Sequence, residues 1–167
     1  KGLLLASMRQ NDPVLFMEPK RIYRASKGEV PEGDYAIELG QAKVLREGDQ
    51  VTVLAWSGMV SIAEEAAKKI DDVSVEVIDL RTVRPLDIGT VVRSVKKTSN
   101  CVVVDQSWSF ASPGGELAAK IVQHGFGTHV AAAPTRVVAG DDRKHIHVAA
   151  TADEGIAAVT AGADAAF

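Results

Sequence analysis

The stretch that decides the fold is VEVIDLRTVRPLD, which runs from Val75 to Asp87. Its apolar and β-branched first half predicts a strand buried inside an α/β sheet. Pro85 suits the turn before a helix, and Asp87 can accept hydrogen bonds from the first free N–H groups of that helix. Arg81 and Arg84 flank the apolar strand end, where an unpaired buried charge is costly, so we expect anionic or carbonyl partners for both. The stretch therefore predicts a junction at which elements or subunits meet.

Strands and helices alternate along the chain on both sides of this stretch. This order is typical of a mostly parallel sheet with helices on both faces, the three-layer αβα form of the α/β class. We predict strands at residues 50–56, 73–80, 101–105 and 135–139, and helices at residues 60–70, 88–97, 116–124 and 151–161.

The amino-terminal part is less regular. Residues 2–9 form an apolar, helix-like segment with no capping residue before it, so we expect further chain upstream of Lys1. Residues 13–17 predict a short buried strand, and residues 35–39 alternate apolar and polar side chains like a half-exposed strand. Between them, residues 19–34 are rich in proline, glycine and charge, which favours a linker.

Composition narrows the classes of function. A chain of 167 residues that is 46% hydrophobic can bury one core, so one domain is the default. Its net charge of −3 gives no electrostatic reason to expect a nucleic-acid partner. No apolar run reaches the roughly 20 residues of a membrane span, so no membrane partner is expected. Cys101, the only cysteine, is interpreted as a buried hydrophobic residue, which suits a reducing compartment.

Local patterns that could carry chemistry have plainer explanations. His145 and His147 could bind zinc together with Asp141 and Asp142, but exposed loop histidines explain the same residues. The glycines within residues 112–116 lack the Walker lysine and the Rossmann spacing, so they are assigned to close packing of a helix N-terminus. No G-x-S-x-G elbow is present. The sequence therefore predicts no self-contained catalytic constellation.

Six stretches, taken together and in order, resemble one family. They are DPVLFMEPK at 12–20 with Tyr23, VP at 30–31, GQAKV at 40–44, the stretch at 75–87, VVRSVKKT at 91–98 and VVVD at 102–105. Over roughly residues 1–140 the chain resembles the C-terminal half of the β subunit of thiamine-dependent 2-oxo acid dehydrogenases. This implies a mostly parallel, five-stranded sheet of the transketolase C-terminal type at residues 35–167. Residues 1–18 would end a preceding pyrimidine-binding domain, and residues 19–34 would form the linker.

The resemblance also implies an activity to which this chain contributes only in part. In the family, thiamine diphosphate supports oxidative decarboxylation of a 2-oxo acid, and the acyl group passes to lipoamide. The catalytic residues belong to the preceding domain and the diphosphate and Mg²⁺ ligands to the α subunit, so none is assigned here and the chain alone should be inactive. The implied partners, in a heterotetramer within a multienzyme complex, are the α subunit, a second β subunit and the dihydrolipoyl acyltransferase. The implied location is the cytoplasm, or the mitochondrial matrix of a eukaryote.

One site of the family maps onto this chain: a monovalent-cation site, usually for potassium, at the turn after the first helix. The matching positions are Ser7, Met8, Gln10 and Asp12, and oxygen ligands suit a hard cation. Because Gln10 stands where relatives often carry an acid, we expect a weaker site. A plain polar turn explains the same residues.

The remaining expectations concern substrate and role. Residues 18–23 favour the branched-chain enzymes, with pyruvate dehydrogenase, a transketolase-like synthase and a non-catalytic assembly module as alternatives. Arg81, Arg84 and the loop around Trp108 are expected to organise subunit contacts. For Trp108 an interface or core position is preferred over a lid. Residues 143–147 depart from the family pattern, so the details of partner binding stay open.

Overall fold

The computed structural model describes residues 1–24, 27–108, 110–125 and 135–138. Its helices are α1 (Gly2–Met8), α2 (Met59–Lys68), α3 (Ile88–Thr98) and α4 (Pro113–Gly125), with a 3₁₀ turn at Lys20–Ile22. Its strands are β1 (Lys43–Arg46), β2 (Val51–Ala55), β3 (Val75–Asp79), β4 (Cys101–Asp105) and β5 (Thr135–Val138). Within these ranges no helix has the length and apolar character needed to cross a bilayer.

The five strands form one sheet in the order β1-β3-β2-β4-β5. Strands β2 to β5 run parallel, and β1 pairs with β3 in the antiparallel sense. In the centre, Val53 lies between Val77 of β3 and Val102 of β4. The parallel strands all finish on one side, which we call the carboxyl end of the sheet, and start on the other, the amino end. The predicted mostly parallel, five-stranded α/β fold is confirmed.

One face of the sheet is covered by α2. Every position of β2 and β4 is buried, as expected of central strands in a sheet that is covered on both faces. On this face Val53, Val77 and Val102 belong to one core together with Met59 and Ala63 of α2. The alternation of side chains along a strand sends the neighbouring residues to the opposite face.

The opposite face is covered by α3 and α4. There Leu54, Ile78 and Cys101 belong to a second core with Val91 of α3 and Leu117 of α4. Burial raises the pKa of the Cys101 thiol to about 12, so the predicted buried hydrophobic character of this residue is confirmed. Helices on both faces complete the predicted three layers.

The predicted buried strand at residues 13–17 is wrong. Leu15 is 92% exposed and Met17 is 85% exposed, and this segment belongs to no strand of the described sheet. Apolar sequence is not sufficient for a strand, because the backbone N–H and C=O groups also need a neighbouring chain with which to pair.

The predicted strand at residues 35–39 is also wrong, and β1 takes the edge of the sheet instead. Tyr35 and Ile37 are half-buried because they contact α1. A Cβ on Gly2 would lie 2.6 Å from the Tyr35 ring and 2.7 Å from Ile37, so a larger residue there would displace these side chains. Ile37 N also donates to Gly2 O at 3.2 Å. The alternation of apolar and polar residues at 35–39 therefore results from packing against α1 and not from pairing in the sheet.

Charged groups also tie α1 to the end of the predicted linker. Lys1 Nζ donates to the carbonyl oxygens of Pro31 and Gly33 at 2.7 and 2.6 Å. Arg9 forms an ion pair with Asp34 at 2.6 Å. Because both partners are at least half-exposed, we expect this ion pair to stabilise the fold by no more than about 1 kcal/mol. The proposed domain boundaries at residues 18 and 34 stay predictions.

Candidate functional site

The predicted cation turn lies at and just beyond the end of α1. Ser7 is largely buried, and its hydroxyl donates to Leu3 O at 2.9 Å. Gln10 turns back onto the helix, where its side-chain amide donates to Ala6 O at 3.1 Å. These two side chains therefore satisfy carbonyl groups of α1.

The other two members of the turn face solvent. Met8 is 74% exposed, and Asp12 is exposed as well. A cation held here would draw on backbone carbonyl oxygens of the turn and on the Asp12 carboxylate, which are the donors that hard cations prefer. The potassium site at Ser7, Met8, Gln10 and Asp12 stays a prediction.

The two arginines of the β3–α3 crossover do not form the expected ion pairs. Arg81 is half-buried and adopts a left-handed backbone with φ of 57°. Arg84 is exposed and lies before a cis peptide bond to Pro85. Within the described ranges neither guanidinium lies within ion-pair distance of a carboxylate. Arg84 is exposed rather than buried, and the expected anionic or carbonyl partners of the two arginines stay a prediction.

The crossover is nevertheless a junction between elements, as predicted. Thr82 Oγ1 accepts a hydrogen bond from Gly40 N at 3.0 Å and donates to Pro85 O at 2.8 Å. Gly40 has a φ of 82°, and a Cβ there would lie 3.0 Å from the Pro85 ring. These contacts lock the segment before β1 onto the crossover.

Trp108 does not occupy the core. Its side chain is 67% exposed, and nearby Phe110 is 84% exposed. The core alternative is wrong, while the interface alternative stays a prediction. The loop after β4 therefore presents two aromatic side chains to solvent.

Several predictions fall outside the described residues. They are the possible zinc ligands His145 and His147 with Asp141 and Asp142, and the terminal helix at residues 151–161. Among the residues that are described, no group of three or more His, Cys, Asp or Glu side chains could hold a metal ion.

Aspartate side chains mark the carboxyl end of the sheet. Asp79 ends β3, and its Oδ1 accepts a hydrogen bond from Arg81 N at 2.9 Å. Burial disfavours the charged form and raises the pKa of Asp79, although this backbone bond and the charges of Arg81 and Lys43 oppose the shift. The carboxylate thus binds the backbone at Arg81, which has a left-handed φ of 57°.

Asp87 joins two elements at the start of α3. Its Oδ1 accepts from Thr90 N at 2.9 Å, which is the predicted helix cap. Its Oδ2 accepts from Ala42 N at 3.0 Å. Partial burial opposes ionisation, but the hydrogen bonds from Thr90 and Ala42 outweigh it and lower the pKa of Asp87. Asp87 therefore fixes the segment before β1 as well as the helix.

Asp105 has the same type of role at the end of β4 and is almost completely buried, with 1% exposure. Its Oδ1 accepts from Ser107 N at 2.8 Å, and its Oδ2 accepts from Gly114 N, in the first turn of α4, at 3.1 Å. Sequence reasoning assigned no role to Asp79 or Asp105. The available signal was an acid directly after the apolar run of each strand.

A second polar cluster lies toward the amino end of the sheet, beneath α3. Glu76 of β3 is 2% exposed and accepts hydrogen bonds from Ser94 and Lys97 of α3. Since the Ser94 hydroxyl donates to Glu76, Thr52 of β2 is the donor in the 2.6 Å hydrogen bond between Thr52 and Ser94. Thr52 also contacts Thr98 Oγ1 at 2.7 Å. This cluster fastens α3 to two strands and has little access to solvent.

A groove of about 570 Å³ opens between the β3–α3 crossover and α4. Its apolar wall includes Trp56, Leu80, Leu86 and Leu117, while Arg84, Glu116, Lys120 and His124 bring charged or titratable groups to its lining. We call it the α4 groove. None of the aspartates described above belongs to its lining.

The profile of the family described as "Transketolase, C-terminal domain" matches residues 40–160. This range starts just before β1 and contains all five strands of the sheet. It leaves out α1, the predicted cation turn and the predicted linker.

Two curated relatives carry the name "Pyruvate dehydrogenase E1 component subunit beta". The protein from Acholeplasma laidlawii is 46% identical over 143 residues, which are 84% of this chain and 43% of the relative. The protein from Staphylococcus epidermidis strain RP62A is 44% identical over 125 residues, which are 74% of this chain and 38% of the relative. The chain therefore spans less than half the length of these relatives. These matches confirm that the chain resembles the β subunits of 2-oxo acid dehydrogenases.

A solved structure with the same fold is titled "Split gene transketolase, inactive beta4 tetramer". It superimposes with a TM-score of 0.56 at 24% sequence identity, over 83% of this chain and 45% of that chain. At this identity the likeness concerns the fold alone.

Proposed function

Because the chain belongs to the transketolase C-terminal domain family, we propose that it is part of the β subunit of a thiamine-dependent 2-oxo acid dehydrogenase of the pyruvate type. The observation that carries this proposal is the 46% identity to a pyruvate dehydrogenase E1 component subunit beta over 84% of the chain. The whole protein would take part in oxidative decarboxylation of pyruvate and acyl transfer to lipoamide.

The names of the relatives favour pyruvate over the branched-chain substrates that residues 18–23 favour. In that segment the Tyr23 hydroxyl donates to Glu18 at 2.5 Å, and Tyr23 is 61% exposed. This contact between two exposed side chains forms no pocket that could recognise the side chain of a substrate. The pyruvate alternative is therefore the one we propose.

The described residues offer no site for the Mg²⁺ that accompanies thiamine diphosphate. They contain no cluster of metal-ligating side chains, and the buried Asp105 carboxylate already binds two backbone N–H groups. When bound to an enzyme, the cofactor stabilises the carbanion that forms on decarboxylation. We therefore propose that the preceding domain and the α subunit hold thiamine diphosphate and magnesium, and that this chain contributes assembly surfaces.

Three partners belong to the proposal: the α subunit, a second β subunit and the dihydrolipoyl acyltransferase. The exposed loop with Trp108 and Phe110 and the exposed Arg84 supply surface of the kind that interfaces bury, because aromatic residues and arginine are enriched there. The proposed location is the cytoplasm, or the mitochondrial matrix of a eukaryote. Cell fractionation with an antibody to the chain tests this location, and recovery outside both compartments would contradict it.

A chimeric β subunit tests the proposed function. This chain replaces the matching part of the Acholeplasma laidlawii relative, and the product is expressed with the α subunit of the same complex. We expect a heterotetramer in sedimentation and pyruvate-dependent reduction of an artificial electron acceptor. The control is the relative's own segment rejoined at the same junctions. A folded chimera that stays apart from the α subunit would contradict the proposal.

The same chimera tests potassium binding at the turn of Ser7, Met8, Gln10 and Asp12. We expect a higher thermal midpoint in potassium chloride than in choline chloride of equal concentration, and we expect Asp12→Ala to reduce the difference. Equal midpoints in the two salts would contradict the cation site.

A further inference from the structure

The α4 groove has the size and lining of a small-molecule site. Its volume of about 570 Å³ falls within the roughly 300–1,000 Å³ that such sites span. Trp56, Leu86 and Ile88 are only partly buried although they pack against the core under α3 and α4, so the groove exposes their apolar surface. Val83, on the same wall, is 46% exposed. A ligand with an apolar body would cover this surface.

The charges of the lining favour an anion. Arg84 is always charged, and no carboxylate of the described residues pairs with its guanidinium. Lys120 lies on the facing helix, where Glu116 binds its ammonium group at 3.2 Å. Two cations and one anion give the lining a net positive charge, although the chain as a whole carries −3. His124, one turn after Lys120, adds a further donor.

We propose that the α4 groove binds a small organic anion with an apolar body, whose phosphate or carboxylate group contacts Arg84 and Lys120. The apolar body lies against Trp56 and Leu117. A guanidinium offers paired donors that match the oxygens of either group, and Lys120 adds a mobile ammonium charge. Binding at this groove goes beyond the proposed function and is argued from the residues of the lining alone.

Phenyl phosphate is a suitable probe for the 167-residue chain. Trp56 reports binding by its fluorescence in a Trp108→Phe background, where the exposed second tryptophan no longer contributes. Phenylacetate carries a carboxylate in place of the phosphate. Whichever of the two ligands binds more tightly shows whether the groove prefers a phosphate or a carboxylate. Benzyl alcohol is the matched neutral ligand, and inorganic phosphate lacks the apolar body.

We expect saturable quenching by phenyl phosphate or phenylacetate, with at least tenfold weaker binding of benzyl alcohol and of inorganic phosphate. Arg84→Gln should weaken binding about tenfold, which corresponds to about 1.4 kcal/mol, and Lys120→Gln should weaken it about threefold. Arg24→Gln and Lys68→Gln, which alter exposed cations outside the groove, are the matched controls and should leave the affinity unchanged. Equal binding of benzyl alcohol, no effect of Arg84→Gln, or no saturable binding would overturn the proposal.

Discussion

Strand β3 carries two acids, three residues apart, whose ionisation is shifted in opposite directions. Burial of Glu76 opposes its ionisation, but hydrogen bonds from Lys97 and Ser94 outweigh burial and lower its pKa. At Asp79, burial outweighs the backbone bond from Arg81 and raises the pKa. The comparison teaches that the partners of an acid, and not its depth alone, decide how easily it becomes charged.

The two ends of the sheet differ in the same way. At the amino end, Glu76, Thr52 and Ser94 bond to one another and fasten a helix to the sheet. At the carboxyl end, Asp87 and Asp105 bond to backbone N–H groups and hold the segments that follow or precede the strands. We infer that both ends stabilise the fold, and that the carboxyl end also shapes the surface that other molecules can reach.

The largest loss of stability is expected when the Asp105 side chain is removed from the carboxyl end of the sheet. Asp105→Ala leaves two N–H groups of a buried site without their acceptor, so we expect a loss of about 3 kcal/mol in the free energy of unfolding. Urea denaturation followed by circular dichroism measures the loss, and limited proteolysis reports opening of the loop after β4. Asp49→Ala, at an exposed acid, should stay within about 0.5 kcal/mol. Equal stability of the two variants would contradict the role of Asp105.

A smaller effect should follow at the amino end. Thr52→Val keeps the shape of the side chain but removes the hydroxyl that bonds to Ser94, so we expect a loss of about 1 kcal/mol. A double-mutant cycle with Ser94→Ala isolates the hydrogen bond, because the two residues are in contact. We expect a coupling energy of about 1 kcal/mol in urea denaturation. Strictly additive losses would mean that the hydroxyl pair contributes nothing to stability.

The smallest expected effect is on the pH dependence of the unfolding free energy, to which Glu76 and Asp79 contribute with opposite signs. The lowered pKa of Glu76 stabilises the fold above its ordinary value of 4.5, and this contribution is lost as pH falls through the folded value. The raised pKa of Asp79 acts oppositely, because stability rises as pH falls through the folded value toward 3.8. Glu76→Gln should therefore flatten the acid-side fall of the unfolding free energy, and Asp79→Asn should steepen it. Urea midpoints from pH 3 to 6 measure both slopes; slopes that change in the same direction would contradict the comparison.

Sequence patterns predicted the parallel part of the fold well. Strands β2, β3 and β4 are rich in apolar and β-branched residues, although Thr52 and Glu76 interrupt two of them, and α3 has a helical period with a capping acid at Asp87, so local signals agree with the tertiary structure. Strand β1 was missed because its pairing with β3 shifts register between Val44 and Arg46, which hides the alternation of a regular strand. Residues 13–17 carry a strand-like pattern without a partner strand among the described residues.

The polar sites were harder to predict because their partners are distant in the chain. Glu76 bonds to Ser94 and Lys97, which lie 18 and 21 residues further along, and no local pattern links them. The Asp87 cap was predictable because its partner Thr90 follows within one helical turn, whereas its bond to Ala42, 45 residues earlier, was not. The cation turn was found only through the resemblance.

Titration calorimetry with thiamine diphosphate and Mg²⁺ tests whether the cofactor site lies outside this chain, and it uses the 167-residue chain with Arg84→Gln and Lys120→Gln, which removes the anion contacts proposed for the α4 groove. The chimeric β subunit, assembled with its α subunit, is the positive control. We expect no saturable heat for the chain alone and saturable binding for the assembled control. Saturable binding of thiamine diphosphate by the chain alone would contradict the assignment of assembly, rather than cofactor binding, to this domain.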